Sequence, residues 1–328
     1  MKRAAMVVVV LVLNMAWILS SHAEVRPEAL LRAVVKIQAT IRDDARTAET
    51  LGKKREGNGV LIDAEGTILT IGYLVLEAKD ISVVGPDGES VEADFVAYDH
   101  QTGFGLVRAR NPIYADPMKL GSSSELEPGA PTLIAGHGGA DAVKGAWVIS
   151  RGVFTGYWEY LLERAIFVGP PFADFGGAAL IGPKGQLLGI GSIFTQLQIQ
   201  DVGIVPCNMF VPIDLLKPIL TDLKTSGRPS SPPLPWLGIY ADHRFGRVFV
   251  VAVAENGPAA GAGMQSGDVI LAVNGQQIQG LADFYRKVWA MGEAGVDVPL
   301  RVLQGNEIRD LTIHSEDRYL YLRMAGDN

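Results

Sequence analysis

Glu56-Gly57-Asn58-Gly59-Val60-Leu61-Ile62-Asp63-Ala64-Glu65-Gly66-Thr67-Ile68-Leu69-Thr70 holds two strand-like runs, 59–63 and 67–70, split by a polar turn that ends in glycine. Aliphatic and β-branched residues suit a pleated strand, and glycine supplies the backbone freedom of a tight turn. The pattern extends both ways. Upstream, a lead-in over 25–36 runs into a strand at 34–41, and a polar loop covers 42–56. Downstream come runs at 81–84, 91–98 and 105–108, then 131–135, 147–157, 165–168, 186–194 and 203–211. Closely spaced short strands with turn signals predict a barrel or sandwich rather than alternating strand and helix units. The 38 glycines and 18 prolines agree with a turn-rich, mostly β chain.

At 328 residues the chain has room for about two domains. Asp214 reads as a helix cap, with Leu216, Ile219, Leu220 and Leu223 on one stripe and Pro218 near the first turn. Residues 225–235, Thr-Ser-Gly-Arg-Pro-Ser-Ser-Pro-Pro-Leu-Pro, form an extended linker, and a second unit starts at Trp236. In that unit Asn274-Gly275 is a hairpin turn dipeptide, and 281–291 reads as a helix with Leu281, Phe284, Val288 and Met291 on one stripe. Residues 319–322 read as a last strand.

Residues 1–23 have the layout of a secretory signal: Lys2 and Arg3, an apolar stretch over 4–19, then Ser21-His22-Ala23. The apolar stretch, interrupted by Asn14, is short of the roughly 20 residues that span a bilayer. Cleavage after Ala23 is therefore the expectation, with an uncleaved inner-membrane anchor as the alternative. The remaining chain carries 27 basic against 36 acidic residues, a net of −9. That balance argues against nucleic acid or an anionic membrane as partner. Cys207, alone, makes no internal disulfide and reads as a small buried hydrophobe.

A family resemblance rests on several stretches together. Residues 56–63 with Gly66 and Ile68-Leu69-Thr70, Asp87-Gly88 with Ala93 and Asp99, Leu120-Gly121-Ser122-Ser123-Ser124 with Pro128-Gly129, and 185–190 are similar to the HtrA (DegP-like) family of serine proteases. The resemblance implies two antiparallel β-barrels of the trypsin-like type over 24–224, with a cleft between them. An α+β PDZ domain over 236–315 and a tail over 316–328 would follow.

The segment Gly169-Pro170-Pro171-Phe172-Ala173-Asp174-Phe175-Gly176-Gly177 resembles the family's nucleophile loop, with Phe175 at the serine position. After Leu69-Thr70 the histidine position holds Tyr73, and in Thr102-Gly103-Phe104 the aspartate position holds Gly103. A serine protease needs a hydroxyl beside a base that a third group orients. Phe175 has no hydroxyl, the Tyr73 phenol has an ordinary pKa of about 10, and Gly103 has no side chain. Ala173 and Asp174 also alter the loop whose amides would form an oxyanion hole.

Other constellations read as structural. Asp99-His100 is expected at a surface turn, with its two side chains on opposite faces. His137 and Ser122 to Ser124 read as turn residues, and His243 and His314 lie in the second domain. No metal-ligand spacing or phosphate loop appears, so no cofactor is expected.

Trp236-Leu237-Gly238-Ile239 looks like the carboxylate-binding loop of HtrA-type PDZ domains, and residues 254–264 and 267–275 resemble the rest of that domain. The resemblance implies peptide binding by strand addition, with 237–240 as the edge strand. Tyr240 belongs to it, and Phe284, Tyr285 or Val288 would form the facing wall, with core packing as the plain alternative for Phe284 and Val288. The expectation is a secreted or periplasmic, non-catalytic scaffold or adaptor in envelope protein quality control that binds peptide or protein C-termini. The alternatives are an active serine endopeptidase, or a regulatory subunit that assembles with an active relative, in a family that often forms trimers.

Overall fold

The computed structural model describes residues 27–322; the signal segment 1–23 lies outside them. Strands β1 (Val34–Ile41), β2 (Lys54–Leu61), β3 (Thr67–Ile71), β4 (Ala78–Val84), β5 (Ser90–Tyr98) and β6 (Phe104–Ala109) close a barrel in the order β1-β2-β3-β6-β5-β4. The opening stretch is the β2–β3 hairpin of this barrel, with Val60 opposite Leu69. Ile37, Ile68, Leu69 and Leu106 are fully buried inside.

The second barrel repeats the design with β7 (Pro131–Ala135), β8 (Val143–Gly156), β9 (Tyr160–Gly169), β10 (Ala179–Ile181), β11 (Leu187–Ile199) and β12 (Gly203–Pro212). Its core holds Ile134, Ile166, Leu180 and Phe210. Cys207 is buried, as its apolar surroundings required, and that burial pushes its thiol pKa up to about 11.

The third unit is a sheet in the order β13-β14-β15-β17-β18, with β16 (Gln276–Gln277) on β15. Its strands are β13 (Ile239–Arg244), β14 (Arg247–Val253), β15 (Val269–Val273), β17 (Asp297–Gln304) and β18 (Glu307–His314). Asn274 and Gly275 both take positive φ, 46° and 75°, and form the two-residue turn of β15–β16. A helix, Leu281–Trp289, buries Leu281, Phe284, Tyr285 and Val288 at i, i+3, i+4 and i+7. The chain is thus mostly β, two barrels followed by an α+β sheet domain.

Several local expectations are corrected. The polar stretch 42–56 contains a short helix, Ala48–Leu51, and gives its end to β2. Asp214 does not cap a helix: its carboxylate accepts the amides of Ser123 (2.8 Å) and Ser124 (2.7 Å), and a single 3-10 turn forms at Ile213–Leu215. The helix proper waits until Leu220–Ser226, past Pro218. The sheet helix stops at Trp289, before Met291.

The tail forms a helix, Arg318–Tyr321, rather than a strand, because the Asp317 side chain accepts the Tyr319 amide at its start. That helix ties the units together. Tyr319 donates its hydroxyl to the Tyr98 carbonyl (3.0 Å), and Tyr321 packs on Trp236 with ring centroids 4.5 Å apart.

Candidate functional site

The two barrels are tied together by Asn58, which stands on β2 and is only 5% exposed. Its amide donates to Gly176 O (2.8 Å), and its Nδ2 to Asp174 O (2.7 Å) and Gly176 O (3.2 Å). Its Oδ1 accepts the His137 amide, and its carbonyl accepts the Thr70 hydroxyl (2.6 Å). One side chain thus pins the loop of Phe175 to the first barrel. His137, as read, is a turn residue; its Nε2 lies 3.1 Å from Gly85 O.

In this frame Tyr73 sits in the 3-10 turn Gly72–Leu74 and donates its hydroxyl to Ser192 O at 2.8 Å. Burial pushes its phenol pKa well up, so the proton stays on oxygen. A Cβ on Gly176 would lie 2.8 Å from that hydroxyl, which places the phenol against the residue after Phe175. Phe175 is half-buried, and its carbonyl accepts the Ala178 amide. Ala173 and Asp174 are exposed.

Gly103 takes φ 81°, and a Cβ there would meet the Tyr160 hydroxyl at 3.2 Å and Ile71 at 3.5 Å. Tyr160 donates that hydroxyl to Thr102 O (2.6 Å), so a phenol crosses the space beside Gly103. The three positions offer no nucleophilic hydroxyl beside an imidazole.

Asp99 and His100 are not at a surface. They are 2% and 7% exposed, because the Arg318–Tyr321 helix covers them. Asp99 accepts the Thr102 amide and hydroxyl, while the His100 ring lies edge-on to Tyr319 with Nδ1 unpartnered. Burial, and secondarily the charge of Arg318, depress the His100 pKa to about 3. The unfolded imidazole titrates near 6.5, so this stability is complete above that pH and is lost as pH falls toward the folded value. Between pH 6.5 and 5 the loss is about 2 kcal/mol. His100→Phe should flatten that limb, measured by urea unfolding at pH 5, 6 and 7; an unchanged limb would refute the assignment.

Leu237, Ile239, Tyr240 and Tyr285 gather at the hairpin that carries one carboxylate. Leu237 and Gly238 precede β13 instead of belonging to it, which leaves their amides off the sheet ladder. Glu159, at the tip of the β8–β9 hairpin, accepts the amides of Leu237 (3.0 Å) and Ile239 (2.8 Å). Burial raises its pKa to about 7, against the opposing pull of the Ile239, Leu237 and Gly238 amides and of Arg318. Tyr240 lies beside Tyr157 of the same hairpin, ring centroids 6.1 Å apart. Tyr285 donates its hydroxyl to Gly156 O (2.8 Å) and accepts the Glu159 amide (3.2 Å).

Trp236 is covered: its amide and carbonyl pair with Glu316. Phe284 and Val288, each 1% exposed, pack in the core of the sheet domain with Leu237 and Ile239, and Leu161 of the hairpin joins them from outside. His243 and His314 stand on β13 and β18.

Sequence reasoning missed Glu159, Tyr160 and the tie made by Asn58. Asn58 sat inside a quoted motif. Nothing local marks Glu159, whose partners lie 78 and 80 residues along the chain.

Residues 57–190 match the trypsin-like peptidase domain, and residues 235–314 match the PDZ domain. The chain is 29% identical over 291 residues to a probable periplasmic serine endoprotease DegP-like of Pseudomonas putida strain GB-1, covering 83% of this chain and 57% of the relative. It is 26% identical over 277 residues to the protein so described from Halomonas elongata, covering 78% of this chain and 55% of the relative. It thus spans little more than half the length of these curated relatives. Solved structures with the same fold include the HtrA-type protease AlgW with a decapeptide (TM-score 0.53, 21% identity, 91% of this chain and 98% of that one). Another is the serine endoprotease from Yersinia pestis (TM-score 0.51, 22% identity, 88% and 97%). No helix among the described residues is long and apolar enough to cross a membrane. With a trypsin-like peptidase domain followed by a PDZ domain, the chain is a homologue of DegP-like proteins.

Proposed function

We propose that this protein is a non-catalytic, periplasmic or secreted HtrA homologue that captures the C-termini of peptides or unfolded proteins through its PDZ domain, with the barrels as scaffold. One observation carries the reading: the Leu237–Ile239 loop holds a carboxylate on its backbone amides. Amides that hold the Glu159 carboxylate have the geometry to hold a chain terminus. An extended chain then adds beside the outer strand β13, whose pockets read alternate side chains. The substitutions at Tyr73, Gly103 and Phe175 support binding without cleavage, since capture by the PDZ domain needs none of the triad.

The test is fluorescence anisotropy of the whole protein with a dansylated octapeptide ending in valine, free or amidated. Two charge-assisted hydrogen bonds are absent from the amide, so it should bind at least about tenfold more weakly. Equal affinity for the two forms would sink the reading.

A further inference from the structure

The carboxylate site of the PDZ domain has a resident ligand from the same chain. Residues 156–160, between β8 and β9, repeat the contacts that an incoming C-terminus would make. The Glu159 carboxylate takes the amides of Leu237 and Ile239. Two residues earlier, the Tyr157 carbonyl accepts the Ala241 amide of β13 at 2.8 Å, a bond of the kind strand addition uses. From the helix side, the Tyr285 hydroxyl bridges Gly156 O and Glu159 N. Behind the tip, Arg318 donates to Trp158 O (3.0 Å), and Arg286 makes a two-pronged ion pair with Glu163.

The backbone is bent to reach these partners. Glu159 takes φ 55°, a left-handed conformation that is unfavourable for a residue with a side chain. In a hairpin tip with no partner, glycine or asparagine would fill such a position more cheaply.

An amide donates its one proton to one strong acceptor, so a peptide terminus and Glu159 exclude each other at Leu237 and Ile239. We propose that the β8–β9 hairpin is an internal ligand of the PDZ domain, and that a partner with a free terminal carboxylate and an extended backbone binds by displacing it. This rests on the reading of the PDZ domain as a C-terminus receptor. Because the hairpin is part of the same chain, it competes at a high effective concentration. The measured affinity for a peptide is therefore the intrinsic affinity reduced by the fraction of molecules whose hairpin has left. Displacement also frees the second barrel's hairpin from the sheet domain, so occupancy of the PDZ site is coupled to how the barrels and the sheet domain are joined.

The test compares the whole protein with Glu159→Ala, using the valine-terminated dansyl octapeptide. The variant should bind at least about tenfold more tightly, because the resident carboxylate no longer competes. On the unaltered protein, peptide saturation should speed amide hydrogen exchange across 157–161; this readout stands even if the variant folds poorly. Equal affinities, or saturation without faster exchange, overturn the internal ligand and leave C-terminus capture standing. Failure of both proteins to bind the peptide overturns capture, and the internal ligand with it.

Discussion

Phe175→Ser is expected to leave casein uncut, with a turnover about 10⁶ below that of an intact triad. The loop would accept the change, since Asn58 holds it through the backbone oxygens of Asp174 and Gly176. On the proposed reading, what is missing is a base. Tyr73 donates its proton to Ser192 O, and burial keeps that proton bound. Adding Tyr73→His supplies an imidazole with nothing to fix its tautomer, because Gly103 presents no carboxylate.

Gly103→Asp does not complete the set. Its φ of 81° strains any side chain by about 1–3 kcal/mol, and the new Cβ would press on the Tyr160 hydroxyl at 3.2 Å. Tyr160 is held in turn by Thr102 O. All three variants should therefore release no peptide from labelled casein and take no fluorophosphonate at position 175. Labelling of Phe175→Ser alone, or cleavage by the unaltered protein, would show that another group serves as base, and the non-catalytic reading would be wrong.

The parts of this architecture that sequence made legible are those where local pattern and tertiary contact agree. The alternation around 59–70 matched the β2–β3 hairpin because one face of it fills a barrel. Asn274-Gly275 matched its turn because positive φ is a local demand. Asp214 failed for the opposite reason. Its local capping choice lost to donors on Ser122 to Ser124, about 90 residues away, and Pro218 delayed the helix. Asp99 and His100 read as exposed because the cover over them, the Arg318–Tyr321 helix, comes more than 200 residues later. The candidate site divides in the same way. The amides of Leu237 to Ile239 were legible as a motif, but the carboxylate they hold arrives on a hairpin of another domain, which no local pattern announces.

Gly177→Ala is expected to be the most damaging small substitution in the barrels. A Cβ at 177 would lie 1.8 Å from Asn58 O and 2.7 Å from both Asn58 C and the Thr70 hydroxyl. Two of these are backbone atoms of β2, and no rotamer change relieves them. To make room, β2 must move, and Asn58 then gives up its bonds to Gly176 and Thr70 and its pairing opposite Lys36. The φ of 74° adds about 1 kcal/mol or more of backbone strain. Overpacking and broken buried hydrogen bonds bring the total to about 4 kcal/mol or more. For a domain of this size that lowers Tm by roughly 8–16 °C.

Gly129→Ala separates the two causes. It has a similar φ, 87°, with nothing within 4 Å of its Cβ, so it should cost only the strain, a Tm drop of about 2–4 °C. Thermal unfolding followed by circular dichroism reads both. If the two variants fell together, contact with Asn58 would not be what retains glycine at 177. If Gly177→Ala falls much further, the glycine pair survives beside a phenylalanine because the interlock of the two barrels requires it. The frame around position 175 is then kept by packing.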